Sequence, residues 1–148
     1  MGVRAISIEA CLAPEAEPLR RAHWQEIEPA RQPDALLPNG AVYRGLEAQG
    51  ALVVLGAFHA EKLVGYSITL LVPALHADRL QATNDALYLE PAHRGGQLGL
   101  ALIRGTERVV RERGAAELFW SARIGSTFDH LLPRLGYRSE FITHRKDL

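Results

Sequence analysis

The segment Glu90-Pro91-Ala92-His93-Arg94-Gly95-Gly96-Gln97-Leu98-Gly99-Leu100-Ala101-Leu102-Ile103 joins a strand end to a helix start through a glycine-rich turn. The apolar run Ala86-Leu87-Tyr88-Leu89 precedes it, and Pro91 cannot donate to a strand ladder, so the strand stops there. Helical periodicity then begins, with Leu98, Leu102 and Val109 on one face and Arg104, Arg108 and Arg111 largely off it. An ordinary helix start offers Ser, Thr, Asp or Asn as cap and an acidic residue in the first turn. This one offers Arg94, two glycines and Gln97, and no carboxylate before Glu107. Open amides, a positive dipole end and glycines that admit a ligand to the backbone make an anion site, most often for phosphate. The competing reading is a Gly-Gly turn with Arg94 solvated. Neither standard phosphate signature fits. A P-loop needs Lys-Ser or Lys-Thr after its last glycine, and Gly99 is followed by Leu100-Ala101. A dinucleotide fingerprint needs G-x-G-x-x-G spacing, which Gly95, Gly96 and Gly99 lack.

On either side of this segment the pattern alternates between strands and helices. Strands are expected over Val3–Glu9, Ala51–His59, Leu63–Val72, Gln81–Leu89, Glu117–Ser121 and Tyr137–Arg145. Helices are expected over Pro14–Ile27, Ala41–Gln49, Gly99–Arg113 and Thr127–Leu135, the last shortened or kinked by Pro133. Glu28–Gly40, with Pro29, Pro33 and Pro38, reads as a loop. The order is β-α-α-β-β-β-α-β-α-β. A hairpin before the main helix and a crossover around it imply a mixed sheet.

Composition narrows the function. At 148 residues the chain is the size of one domain, expected over 1–148. Seventeen basic residues balance seventeen acidic ones, which gives no support to nucleic-acid or anionic-membrane binding. Cys11 is the only cysteine, so a disulfide framework or a multi-cysteine metal site is excluded. No basic segment and apolar core mark a secretory signal, and no apolar run reaches membrane-span length. A cytoplasmic α/β domain is the expectation.

The turn resembles motif A of the GNAT superfamily of acetyl-CoA-dependent N-acetyltransferases, (Arg/Gln)-x-x-Gly-x-(Gly/Ala) after a strand ending in hydrophobic-x-Pro. Leu89-Glu90-Pro91 is the strand end, Arg94 the first motif residue and Gly99 the last, with Gln97 where the family usually has glycine. Leu135-Gly136-Tyr137-Arg138 is similar to the family's late Leu-Gly-Phe turn. The resemblance spans nearly the whole chain. It implies the GNAT fold, with a mixed sheet of about six or seven strands flanked by about four helices. It implies acetyl-CoA as cosubstrate, no metal, and a small-molecule or peptide amine as acceptor; members often form homodimers.

The same resemblance assigns residues. Backbone groups of Leu87, Tyr88 and Leu89 would meet the pantetheine arm as an extra strand. Amides of Gly95, Gly96, Gln97, Leu98, Gly99 and Leu100 would hold the pyrophosphate, with Arg94 nearby. The family's cofactor-contacting Asn falls on Gly125, with Ser126 and Thr127 as substitutes, and its Tyr general acid falls on Leu132. For a general base the first candidate is Asp85, read as sharing a side with Leu87 and Leu89 in the cofactor strand. The second is His23, which lies with Glu26 on the first helix, where the family often walls its substrate cleft. The alternative function is a GNAT-fold acyl-CoA-binding or regulatory module without turnover, which Gln97 and Leu132 favour.

Overall fold

A computed structural model describes residues 1–29 and 38–148. Its elements are β1 (Gly2–Ala5), α1 (Ile8–Leu12), α2 (Glu17–Ile27), α3 (Gly40–Ala48), β2 (Leu52–His59), β3 (Lys62–Pro73), β4 (Leu80–Leu89), α4 (Gln97–Glu112), β5 (Ala115–Phe119) and α5 (Thr127–Leu131). The strands form one sheet in the order β1-β2-β3-β4-β5. Pairing is antiparallel from β1 to β4 and parallel between β4 and β5, so the sheet is mixed.

Two apolar layers cover the sheet. On one face Ile8 and Cys11 of α1 and Leu19 of α2 pack on Leu52, Val54, Tyr66, Ile68 and Tyr88. On the other, Leu98 and Leu102 of α4 meet Leu55, Ala57, Val64 and Leu89, and Val110 meets Val53, Leu71 and Ala82. The alternation of strand side chains therefore sends Tyr88 to the α1–α2 layer and Leu89 to the α4 layer.

Two expectations about the elements change. The first strand ends at Ala5 rather than Glu9, because Ser7 caps α1, its hydroxyl accepting from the Glu9 N–H at 3.3 Å. Tyr137–Arg145 forms no strand. Tyr137 is held by Glu107 and the Trp120 ring, but Phe141 and Ile142 remain 83% and 70% exposed, with no sheet face to cover them. Among the described residues the sheet thus has five strands rather than six or seven, and there are five α-helices rather than four. The expected loop over 28–40 lies largely outside the described residues, although Gly40 opens α3.

The details of β4 shape the molecule's centre. Opposite β3, Ile68 pairs with Ala86 and Thr69 with Asn84, so Asp85 is an extra, bulged residue. The Asn84 amide lies 3.0–3.1 Å from Ser67 Oγ, the Ile68 carbonyl and Thr69 Oγ1, filling the break in the ladder. Thr106 of α4 extends this buried group, its Oγ1 lying 2.9 Å from Ser67 Oγ. On the other edge, β5 pairs with β4 only as far as Thr83, while β4 runs on to Leu89. Phe119, the partner of Thr83, is the last residue of β5, so β4 runs on without a strand neighbour on that side among the described residues.

Candidate active site

Past the end of β5, the backbone groups of β4 that face away from β3 have no strand partner among the described residues. The Glu90 N–H donates to the Val64 carbonyl at 2.9 Å, which fixes which residues face β3. By alternation, the groups of Tyr88 face β3 and those of Leu87 and Leu89 face the open edge. Beyond the strand end, Gly95 adopts φ +79°, a conformation that favours glycine. Gly96 then caps α4 without a side-chain hydrogen bond, and the first turn holds no acidic residue.

The other glycines have no packing reason to be glycine. A Cβ on Gly96 would meet nothing within 4 Å, and one on Gly99 only Leu89 Cδ2 at an ordinary 3.6 Å. Gln97 is exposed, Leu98 is buried in the core, and Leu100 is half-buried. Together these residues make an uncapped helix start of α4 with a surface that another molecule can approach closely. The site fits an anion such as a pyrophosphate.

Arg94 is turned elsewhere. Its Nε donates to the Leu89 carbonyl at 2.7 Å and its Nη2 to Glu26 Oε2 at 2.6 Å. Its guanidinium carbon also lies 5.3 Å from the Tyr88 ring centroid. Arg94 therefore clasps α2 to the end of β4. Ser126 caps α5, its hydroxyl accepting from the Asp129 N–H at 3.1 Å. Leu132, in the expected acid position, is a core residue at 8% exposure.

On the opposite face of β4, a cleft of about 540 Å³ opens between α1, α2, α3 and the sheet. His23 and Asp85 both line it. His23 stacks on the Tyr88 ring with centroids 4.9 Å apart, and its Nδ1 lies 2.8 Å from the Tyr66 hydroxyl. Burial lowers the His23 pKa to about 4, with Glu26 and Asp85 opposing that shift and Arg94 adding to it. The imidazole is neutral at pH 7. Of the two tautomers this contact allows, the one in which Nδ1–H donates to the Tyr66 oxygen leaves Nε2 to accept a proton, as a base requires. Burial raises the Tyr66 hydroxyl pKa, so that group stays protonated.

Asp85 accepts from the Tyr43 hydroxyl at 2.5 Å. Its placement corrects the sequence reading, which put it on the side of Leu87 and Leu89. Those residues pack in the α4 layer, whereas Asp85 lines the opposite cleft with Ala86. The bulge adds one residue and reverses the alternation. Tyr43 and Tyr66 were not singled out from the sequence, because they reach the site only through contacts 42 and 43 residues away. The available signal was Asn84-Asp85 itself, two poor strand formers inside an apolar run.

Cys11 also lines the cleft, and burial pushes its thiol up to about 12, so it holds no thiolate at neutral pH. No group of three or more His, Cys, Asp and Glu among the described residues could hold a metal ion. No helix among them is long and apolar enough to cross a membrane.

Comparison with known proteins agrees with this architecture. A family model for the acetyltransferase (GNAT) family matches residues 14–137. No curated protein sequence matches. Among solved structures, the chain is similar to an aminoglycoside acetyltransferase from an uncultured soil metagenomic sample, at 21% identity and TM-score 0.76, covering 99% of this chain and 97% of that one. A second aminoglycoside acetyltransferase from such a sample, in complex with sisomicin, is 16% identical with TM-score 0.75, covering 99% of this chain and 95% of the other. The ribosomal-protein-alanine N-acetyltransferase of Brucella melitensis biovar Abortus 2308 is 20% identical with TM-score 0.71, covering 100% of both chains.

Proposed function

The chain belongs to the acetyltransferase (GNAT) family, and on that premise we propose that it moves an acetyl group from acetyl-CoA to a primary amine of a small molecule or peptide. One observation carries the reading: β4 presents an open edge leading to an uncapped glycine turn, and its opposite face lines a cleft holding Asp85 and His23. Donor and acceptor would thus meet across a single strand.

The donor assignment covers Leu87 and Leu89 along the edge, in place of the expected Leu87, Tyr88 and Leu89 since the Tyr88 groups face β3, and Gly95, Gly96, Gln97, Leu98, Gly99 and Leu100 at the turn. Arg94 orders this region through Leu89 and Glu26, and Ser126 stands at the start of α5. Acetyl-CoA supplies an activated thioester. The chain's own residues position the amine for direct attack and remove its proton, with Asp85 as first candidate base and His23 as second. A cytoplasmic location and a homodimer belong to the same reading.

Calorimetry with acetyl-CoA, then thiol release with a panel of amines, tests the proposal. Binding and turnover are expected; no binding at millimolar acetyl-CoA would overturn it. Binding without transfer to any amine or to protein lysines would assign the chain to the regulatory alternative. Gly99→Glu adds bulk and negative charge at the turn and should abolish acetyl-CoA binding.

A further inference from the structure

The cleft beside β4 has a chemical character that points to a class of acceptor, an inference that rests on the transferase reading above. We propose that the acceptor is a primary amine bearing one positive charge on an apolar body, with its ammonium on Asp85, and that polycationic amines are poor substrates.

The walls are apolar and aromatic, formed by Trp24, Val42, Leu46, Tyr66, Ile68 and Leu70. Ile27 and Val42 are 41% and 53% exposed, so apolar surface continues to the rim. Among the described lining residues, Asp85 is the only carboxylate and Arg20 the only permanent cation. The hydrogen-bond donor on Asp85 is the neutral Tyr43 hydroxyl, which orients the carboxylate without cancelling its charge.

Outside the lining, Glu26 and Glu9 are paired with the cations Arg94 and Arg44, and both Glu47 oxygens are held at the start of α1 by the Ser7 hydroxyl and the Ile8 N–H. Arg20 donates to the Cys11 and Ala13 carbonyls at 2.6 and 3.0 Å, so a positive charge is fixed in the same wall. Among the described lining residues, one ammonium therefore finds a counter-charge. A second would enter an apolar cleft unpaired, near a fixed cation, which is unfavourable. Aminoglycosides carry several ammonium groups, so the cleft sets this chain apart from the acceptors named for two of its structural neighbours.

The test compares kcat/KM in thiol release for 2-phenylethylamine and hexylamine against spermidine and kanamycin. The single-charge amines should exceed the polycations by at least roughly 100-fold. Equal or reversed preference overturns the proposal.

A variant adds charge without threatening the fold. Val42 is the third residue of α3, and its N–H donates to the capping Asn39 side chain at 3.3 Å. Glutamate suits that position of a helix. Val42→Glu should therefore shift the kcat/KM ratio toward spermidine by about tenfold, since it supplies a second carboxylate at the rim. An unchanged ratio removes charge count as the determinant. Calorimetry of 2-phenylethylamine and spermidine without acetyl-CoA reads the same preference independently. Failure to bind acetyl-CoA would thus overturn the transferase reading, while the amine titrations still decide the acceptor class.

Discussion

His23 illustrates how much of a residue's behaviour comes from its surroundings. On the surface its imidazole would titrate near 6.5; packed on Tyr88 it titrates near 4, chiefly because burial disfavours the charged form. The unfolded chain therefore takes up this proton first as the pH falls. The stabilisation is complete above about 6.5 and is lost on acidification toward 4, at most roughly 3 kcal/mol. Urea unfolding at pH 7 and pH 4.5 should show His23→Gln losing less stability on acidification than the parent chain. Equal losses would mean that another group carries the titration. Gly95 belongs to the same scale. With φ at +79°, Gly95→Ala should cost about 1 kcal/mol in the same assay. Both residues were recognisable in the sequence, Gly95 as part of an uncapped turn and His23 by its helical spacing. The face on which Asp85 lies was not, since a single bulged residue inverts a period-two pattern and leaves no trace in the pattern itself.

At the scale of elements, β4 concentrates the structural demands. Asn84 bridges the bulge by reaching three acceptors, with Ser67, Thr69 and Asn84 itself all buried. Asn84→Ala leaves the Ile68 carbonyl and Thr69 Oγ1 without this donor and should cost about 1–3 kcal/mol. Thermal unfolding measures it, and a loss below a few tenths would show that the bulge is held by the backbone alone. Gly65 makes the other close contact, since a Cβ there would lie 2.6 Å from the Tyr88 carbonyl oxygen. Gly65→Ala should destabilise by about 1–3 kcal/mol and weaken acetyl-CoA binding, because relief requires moving the strand that offers the open edge. The strands β2, β3 and β4 and the helix α4 were legible because long apolar runs and helical periodicity announce them. The short helix α1 was not. Its five residues carry too little pattern, and Ser7 caps it from within a stretch of strand-like alternation. Tyr137–Arg145 has strand-like composition, yet whether such a segment pairs depends on an edge elsewhere in the fold.

For the molecule as a whole, the balance of charges sets colloidal behaviour. With formal net charge zero at pH 7, electrostatic repulsion between copies is smallest there. Light scattering should show the highest self-association near pH 7 and less at pH 9; a flat profile would assign association to apolar contacts, for which Leu75, Ile124, Phe141 and Ile142 are exposed candidates. The unfinished ladder of β4 has a different consequence. Its parallel pairing ends at Thr83 although the strand continues to Leu89. A donor molecule lying along that edge would act as a missing strand, coupling occupancy to the cooperativity of the whole sheet. At a hundred times its dissociation constant such a ligand adds about 2.7 kcal/mol to folding stability. Amide hydrogen exchange would register this locally. The Leu87 and Leu89 N–H groups should exchange fast in the free protein and slow down on saturation, while Tyr88, already turned toward β3, should be protected in both states.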